Sequence, residues 1–233
     1  MKRLLYISLF FNLLALVAGV FAVTRMGGFK HVFLRLQRET EGLHHHRTQL
    51  FENLPEKPRC IIFLGDSQTE QCEWHELFGD SPVVLNRGIS GDYTGGMLER
   101  LPEVLRHKPS KIFLLIGVND LAFGNSTPEI ETAYRKIVQK IRTDSPNTEL
   151  YLQSLLPVNN EVRHVGVKNA KILEVNARVE QIAHDFALPY LDIATPLKDA
   201  DGKLDSKFTE DGLHINGLAY MVWKNEIERL VRK

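Results

Sequence analysis

The sequence predicts an α/β fold, a parallel sheet with helices on both faces, and three observations carry that prediction. From Cys60 onward, short apolar runs rich in β-branched and aromatic residues alternate with longer segments of helical periodicity. One of those segments places Ile172, Val175, Val179, Ile182, Ala183 and Phe186 on a single stripe, the pattern of a helix packed on a core. The chain has 233 residues, 43% apolar and 25% charged, which suits an ordinary folded protein with one substantial core and little room for a second full domain.

Charge and cysteine content exclude several classes. Lys+Arg and Asp+Glu each number 29, so there is no basic field to attract a phosphate backbone, and no nucleic-acid partner is expected. Two cysteines, Cys60 and Cys72, are too few for a disulfide scaffold, and no Cys/His cluster has zinc-ligand spacing. Two free thiols are expected.

Taken in chain order, residues 1–23 come first. Lys2 and Arg3 precede twenty mostly apolar residues, 4–23, long enough as a helix to span about 30 Å of hydrocarbon. An uncleaved transmembrane anchor is expected on that length. A cleaved signal is the competing reading, with Val20 and Ala22 at the −3 and −1 positions. Arg25, Lys30, Arg35 and Arg38 follow the span, so the charge rule alone leaves orientation open. A basic pair ahead of the first apolar segment is how an export signal begins, and the remainder of the chain is expected outside the cytoplasm, periplasmic or extracellular.

Residues 24–58 read as an amphipathic helical stalk, with Phe29, Phe33, Leu36, Leu43, Leu50 and Leu54 at a 3-and-4 spacing. Such a helix either pairs with a second copy in a homodimer or packs on the body. Polar Thr40 and Arg47 fill two seam positions. His44, His45 and His46 point to different faces and make a solvated surface rather than a metal site. Pro55 and Pro58 end the helix and mark the boundary to the body, residues 59–233.

In the body the strands are expected at 61–64, 83–85, 112–116, 150–152 and 189–191. Ligands of such sheets bind where loops leave the carboxyl ends of strands, so the residues after each run matter most. After the first run stands Gly65-Asp66-Ser67, placing a serine at a helix N-terminus, where free N–H groups and the dipole favour a developing negative charge. The same triplet recurs at Gly79-Asp80-Ser81, but Pro82 and a strand follow it, so Ser81 reads as a turn residue. After the second run comes Asn86-Arg87-Gly88-Ile89-Ser90-Gly91-Asp92, and after the third Gly117-Val118-Asn119-Asp120. A glycine N–H and an asparagine carboxamide at that edge are suited to an oxyanion hole.

A serine nucleophile needs a base. Of nine histidines, four belong to the stalk, His75, His107 and His184 fall in helical patterns, and His164 lies in a loop as a substrate-contact candidate. His214 differs, because Asp211 stands three residues before it in the loop opening the last helix, close enough to hold one ring nitrogen while the other faces Ser67.

These four ordered blocks, Gly65-Asp66-Ser67, Gly91, Gly117-Val118-Asn119-Asp120 and Asp211-Gly212-Leu213-His214, resemble the GDSL esterase/lipase family, or SGNH hydrolases. The resemblance implies a flavodoxin-like three-layer α/β/α sandwich, with Ser67 as nucleophile, His214 as base and Asp211 as its partner. It implies an oxyanion hole of the Ser67 and Gly91 N–H groups and the Asn119 side chain, and neither metal nor organic cofactor. The stretch from Gln153 to Asn159 is similar to the branch with platelet-activating-factor acetylhydrolases and carbohydrate O-acetylesterases. Gln68 departs from the leucine of the family name. The expected activity is serine-ester hydrolysis of short acyl groups, O-acetyl on a carbohydrate foremost. The alternatives are a lysophospholipase or thioesterase, an acyltransferase, and a non-catalytic glycan-binding platform. Arg87, Tyr93, Asn159, Asn160 and Arg163 are the candidate substrate contacts, from loops expected at the active edge.

Overall fold

The computed structural model describes Tyr6, residues 8–15, Ala18, Gly19, Gly42 and residues 44–233. The chain divides into two compact units, residues 1–46 and 47–233. In the first, the described residues are helical. Most of the expected stalk face, Phe29, Phe33, Leu36 and Leu43, lies outside the described residues, as does part of the 4–23 span. Among the described residues no helix is long and apolar enough to cross a membrane, so the anchor expectation has no structural support.

The second unit is a five-stranded parallel sheet in the order β2-β1-β3-β4-β5, with β1 at Ile61–Gly65, β2 at Val84–Gly88, β3 at Lys111–Leu115, β4 at Glu149–Gln153 and β5 at Tyr190–Leu191. Side chains alternate across the sheet with period two, and both faces are buried. On one face Ile62, Leu64, Ile112, Leu114, Leu150 and Leu152 pack in one apolar cluster with residues of three helices. These helices are Thr94–Arg106, Thr127–Asp144 and Asn169–Asp185. On the other face the aromatic rings of Phe63, Phe113 and Tyr151 lie in a row, stacked at 5.0 and 4.7 Å. Trp74, 3.9 Å from Phe63, and Trp223 of the last helix, Gly217–Arg232, cover that row. Helix, sheet and helix therefore form the three-layer α/β/α sandwich.

Numbering the helices of this unit in order, α1 is residues 47–53, α2 Ser67–Glu70, α3 Trp74–Phe78, α4 Thr94–Arg106, α5 Val118–Ala122, α6 Thr127–Asp144, α7 Asn169–Asp185 and α8 Gly217–Arg232. Two corrections to the sequence reading arise. The second strand runs on through Asn86, Arg87 and Gly88, which were expected in a loop, because they pair with Phe63, Leu64 and Gly65 of β1. In α1 the buried residue is Phe51, whereas Leu50 and Leu54 of the expected apolar face are 49% and 39% exposed. Phe51 lies under the guanidinium groups of Arg47 and Arg87, and its carbonyl accepts from Arg106 Nη2 at 2.8 Å.

The chain leaves β1 toward β2 on one side and returns to β3 on the other. This reversal opens a crevice at the carboxyl end of β1, the usual ligand position in doubly wound sheets.

Candidate active site

Ser67 stands in that crevice as the first residue of α2. Asp66 caps the helix, its Oδ1 accepting from the Gln68 N–H at 3.0 Å. The last loop of the unit comes back to meet the serine. His214 Nε2 lies 3.0 Å from Ser67 Oγ, and His214 Nδ1 lies 2.6 Å from Asp211 Oδ2. The other Asp211 oxygen accepts from the backbone N–H groups of Leu213 and His214 at 2.9 and 2.8 Å. Partial burial alone would raise the Asp211 pKa, but hydrogen bonds from the His214 ring and these two N–H groups hold it at about 2. Asp211 is thus a carboxylate at neutral pH. That fixes the tautomer, with Nδ1 carrying the proton and Nε2 free to accept from Ser67.

The loop has its shape from Gly212. Its φ of +79° is left-handed, and a Cβ there would lie 2.2 Å from the Asn159 carbonyl oxygen. The Gly212 carbonyl accepts from Asn159 N–H at 2.7 Å, and its N–H donates to Thr209 Oγ1 at 2.9 Å. A third tether comes from Gln68, whose Nε2 donates to the Leu213 carbonyl at 3.0 Å. The amide at the departed position therefore spans from the nucleophile's helix to the base's loop.

The groups suited to an oxyanion follow the carboxyl ends of β1, β2 and β3. The backbone N–H groups of Ser67 and Gly91 donate to no acceptor among the described residues. Asn119 Nδ2 gives one proton to the Asp92 carbonyl at 2.8 Å, which orients the amide and leaves its second N–H. Beneath them is a buried polar layer. Asp92 Oδ2 accepts from Arg100 Nε at 2.7 Å, and Arg100 Nη2 donates to the Gly65 carbonyl at 3.0 Å, cross-linking the glycine loop to β1. Asp120 accepts from Thr94 N–H at 3.0 Å and Thr94 Oγ1 at 2.6 Å, joining α5 to α4. Asp66 is fully buried, which pushes its carboxyl up to about 7, with the charges of Asp92 and Asp120 adding to the shift.

Of the candidate substrate contacts, three are engaged elsewhere. Arg87 is buried, its Nε 3.2 Å from both Glu103 oxygens and its Nη2 3.1 Å from His107 Nε2, so it braces β2 against α4 and cannot reach a substrate. Asn159 is buried too, donating to the Leu204 carbonyl at 2.8 Å and accepting from Glu161 N–H at 3.0 Å. Asn160 closes its own loop onto Val165 and Val167. Arg163 is exposed, with its carbonyl oxygen close against Gly212. Tyr93 is exposed beside Asp92. His164 is exposed as well, and Ser81 stays in the turn ahead of β2.

Sequence reasoning missed Arg100, which carries no local motif. It also missed the positioning parts of Asp92 and Asp120, although each directly follows an oxyanion residue. Among the described residues no group of three or more His, Cys, Asp or Glu is arranged to hold a metal ion. Cys60 and Cys72 are buried free thiols, their pKa values pushed up by burial to about 11 and about 12.

The site and fold together define a hydrolase class, and comparison with known proteins agrees. Residues 63–222 match the GDSL-like Lipase/Acylhydrolase family, and the chain belongs to it. It is an ester hydrolase of that family. The platelet-activating factor acetylhydrolase IB subunit alpha2 of Gallus gallus is 31% identical over 173 residues, 71% of this chain and 72% of that protein. The N-acylneuraminate cytidylyltransferase of Escherichia coli O18:K1:H7 is 29% identical over 154 residues, 64% of this chain and 35% of that protein. A solved structure from Streptococcus pneumonia, provisionally named a platelet activating factor, superposes with a TM-score of 0.76 at 30% identity, covering 87% of this chain and 97% of that one.

Proposed function

We propose that this chain removes short acyl groups, O-acetyl in the first place, from a carbohydrate by way of an acyl-serine intermediate. The observation that carries the reading is the hydrogen-bonded line from Ser67 Oγ through His214 to Asp211, at 3.0 and 2.6 Å. Ser67 Oγ attacks the carbonyl carbon and its proton passes to His214 Nε2. The oxygen that becomes negative is met by the Ser67 and Gly91 N–H groups and the Asn119 amide. His214 then protonates the leaving alcohol, and a water molecule, deprotonated by the same nitrogen, releases the acid and restores Ser67. The names of two relatives, an acetylhydrolase and an acylneuraminate enzyme, support acetyl and sugar as the two halves of the ester.

The acetylhydrolase relatives also favour a second reading, hydrolysis of a phospholipid ester. In either case residues 4–23 are proposed to hold the enzyme at a membrane with its catalytic unit outside the cytoplasm. Alkaline carbonate extraction of the full chain tests this, since release into the soluble fraction refutes a spanning anchor.

A fluorophosphonate probe and p-nitrophenyl esters of increasing chain length test the chemistry, beside Ser67→Ala and Ser81→Ala. Labelling and turnover are expected to disappear in Ser67→Ala alone, with acetate the best acyl group. A maximum at long chains supports the lipid reading instead. Absence of both labelling and turnover in the unmutated protein overturns the serine mechanism.

A further inference from the structure

Two aromatic side chains flank the oxyanion groups uncovered. Tyr93 and Phe123 are 39% and 59% exposed, and they are the exposed Phe, Tyr and Trp residues of 47–233. Their rings meet edge to face, with centroids 5.8 Å apart and planes at 83°. Each is tied to an oxyanion residue by its backbone. Phe123 N–H donates to the Asn119 carbonyl at 2.8 Å. Tyr93 N–H donates at 2.9 Å to Oδ1 of Asp92, the residue that follows Gly91 and whose carbonyl orients the Asn119 amide. The Tyr93 ring lies over the first turn of α4 at Gly95, where a Cβ would sit 2.5 Å from its Cε2.

We infer that the Tyr93–Phe123 pair is the subsite for the alcohol half of the ester, stacking against the C–H face of a pyranose ring. The inference rests on the short-acyl reading above. An acetyl group ends one carbon from the carbonyl that Ser67, itself buried, attacks. Only the alcohol extends far enough to meet rings at the surface. Aromatic faces carry negative charge and attract the weakly positive C–H groups on the flat side of a sugar.

The test uses an acetylated methyl pyranoside, ethyl acetate and ethyl hexanoate, which separate the ring from the acyl chain. Tyr93→Ala and Phe123→Ala are each expected to raise KM for the pyranoside three- to tenfold, roughly, over any change with ethyl acetate, with kcat for the pyranoside nearly constant. Phe123→Tyr is expected to restore the lost affinity. A second measurement is independent of turnover: NMR titration of Ser67→Ala with the pyranoside, where adding Phe123→Ala weakens binding by the same factor. Equal effects on ethyl acetate and pyranoside, effects that follow acyl length, or unchanged binding overturn the subsite. A wild-type protein that hydrolyses no acetate counts against the hydrolase reading, and the binding titration still decides the subsite.

Discussion

Replacing Gly212 by alanine tests how tightly the histidine loop is held. At φ +79° an alanine is in the left-handed region, at a cost of about 1–3 kcal/mol. Its Cβ would also stand 2.2 Å from the Asn159 carbonyl oxygen, whereas carbon and oxygen approach to about 3.3 Å. Relief requires the loop to move by about 1 Å, and the obvious direction breaks the 2.7 Å bond from Asn159 N–H to the Gly212 carbonyl, worth about 1 kcal/mol more. The sum is roughly 2–4 kcal/mol, or a fall in Tm of roughly 5–15 °C for a unit of this size. His214 lies two residues further on. A displacement of about 1 Å there is expected to lower kcat/KM about 100-fold. Thermal melting reads the loss of stability, and p-nitrophenyl acetate kinetics at a temperature where the variant stays folded read the loss of positioning. A kcat/KM within threefold of wild type would show that the loop is not what positions the base.

Four further outcomes are expected. Arg87→Ala leaves Glu103 buried with its main partner gone, so stability falls by roughly 3 kcal/mol in denaturant titration while KM changes less than twofold, in contrast to a substrate contact. Asn119→Ala lowers kcat about 100- to 1000-fold in steady-state assays, with unchanged fluorescence of the folded state. Asp66 holds a proton in the native state, up to about pH 7, that the unfolded chain releases near pH 4; stability therefore falls as pH rises between those values, by on the order of 2–4 kcal/mol, and Asp66→Asn flattens that slope in melts across the range. Asp211 has the opposite sign: its native pKa of about 2 adds stability above the unfolded value of 3.8 that disappears as pH falls through 2, about 1–2 kcal/mol after allowing for solvent, and Asp211→Asn removes that loss from acid titrations.

The parts of this molecule legible in the sequence are those with local signatures. The runs around Ile62 and Leu114 read as strands because both faces of the sheet are buried and almost every residue is apolar. Asp211 and His214 read as a pair because they are three residues apart, and Ser67 read as their partner because a strand end and a helix start coincide there. Arg87 misled because polar residues around it resemble a loop, while the carboxylate that lets it stay buried is on α4, 16 residues away. Gln68 was visible as a departure, but its acceptor, the Leu213 carbonyl, lies 145 residues on, beyond any pattern along the chain. Leu50 and Phe51 show the same limit: periodicity named the wrong neighbour, since the buried one was chosen by two arginine planes.

The separation of 147 positions between Ser67 and His214 has a consequence for synthesis. By Leu191 all five strands exist, and the nucleophile and the oxyanion groups have long since been made. The base comes from the loop just ahead of the final helix. A nascent chain emerging from the ribosome thus carries all five strands and Ser67 before it carries the base that activates the serine. Catalytic competence waits on that loop, and ester turnover reports that synthesis has passed His214.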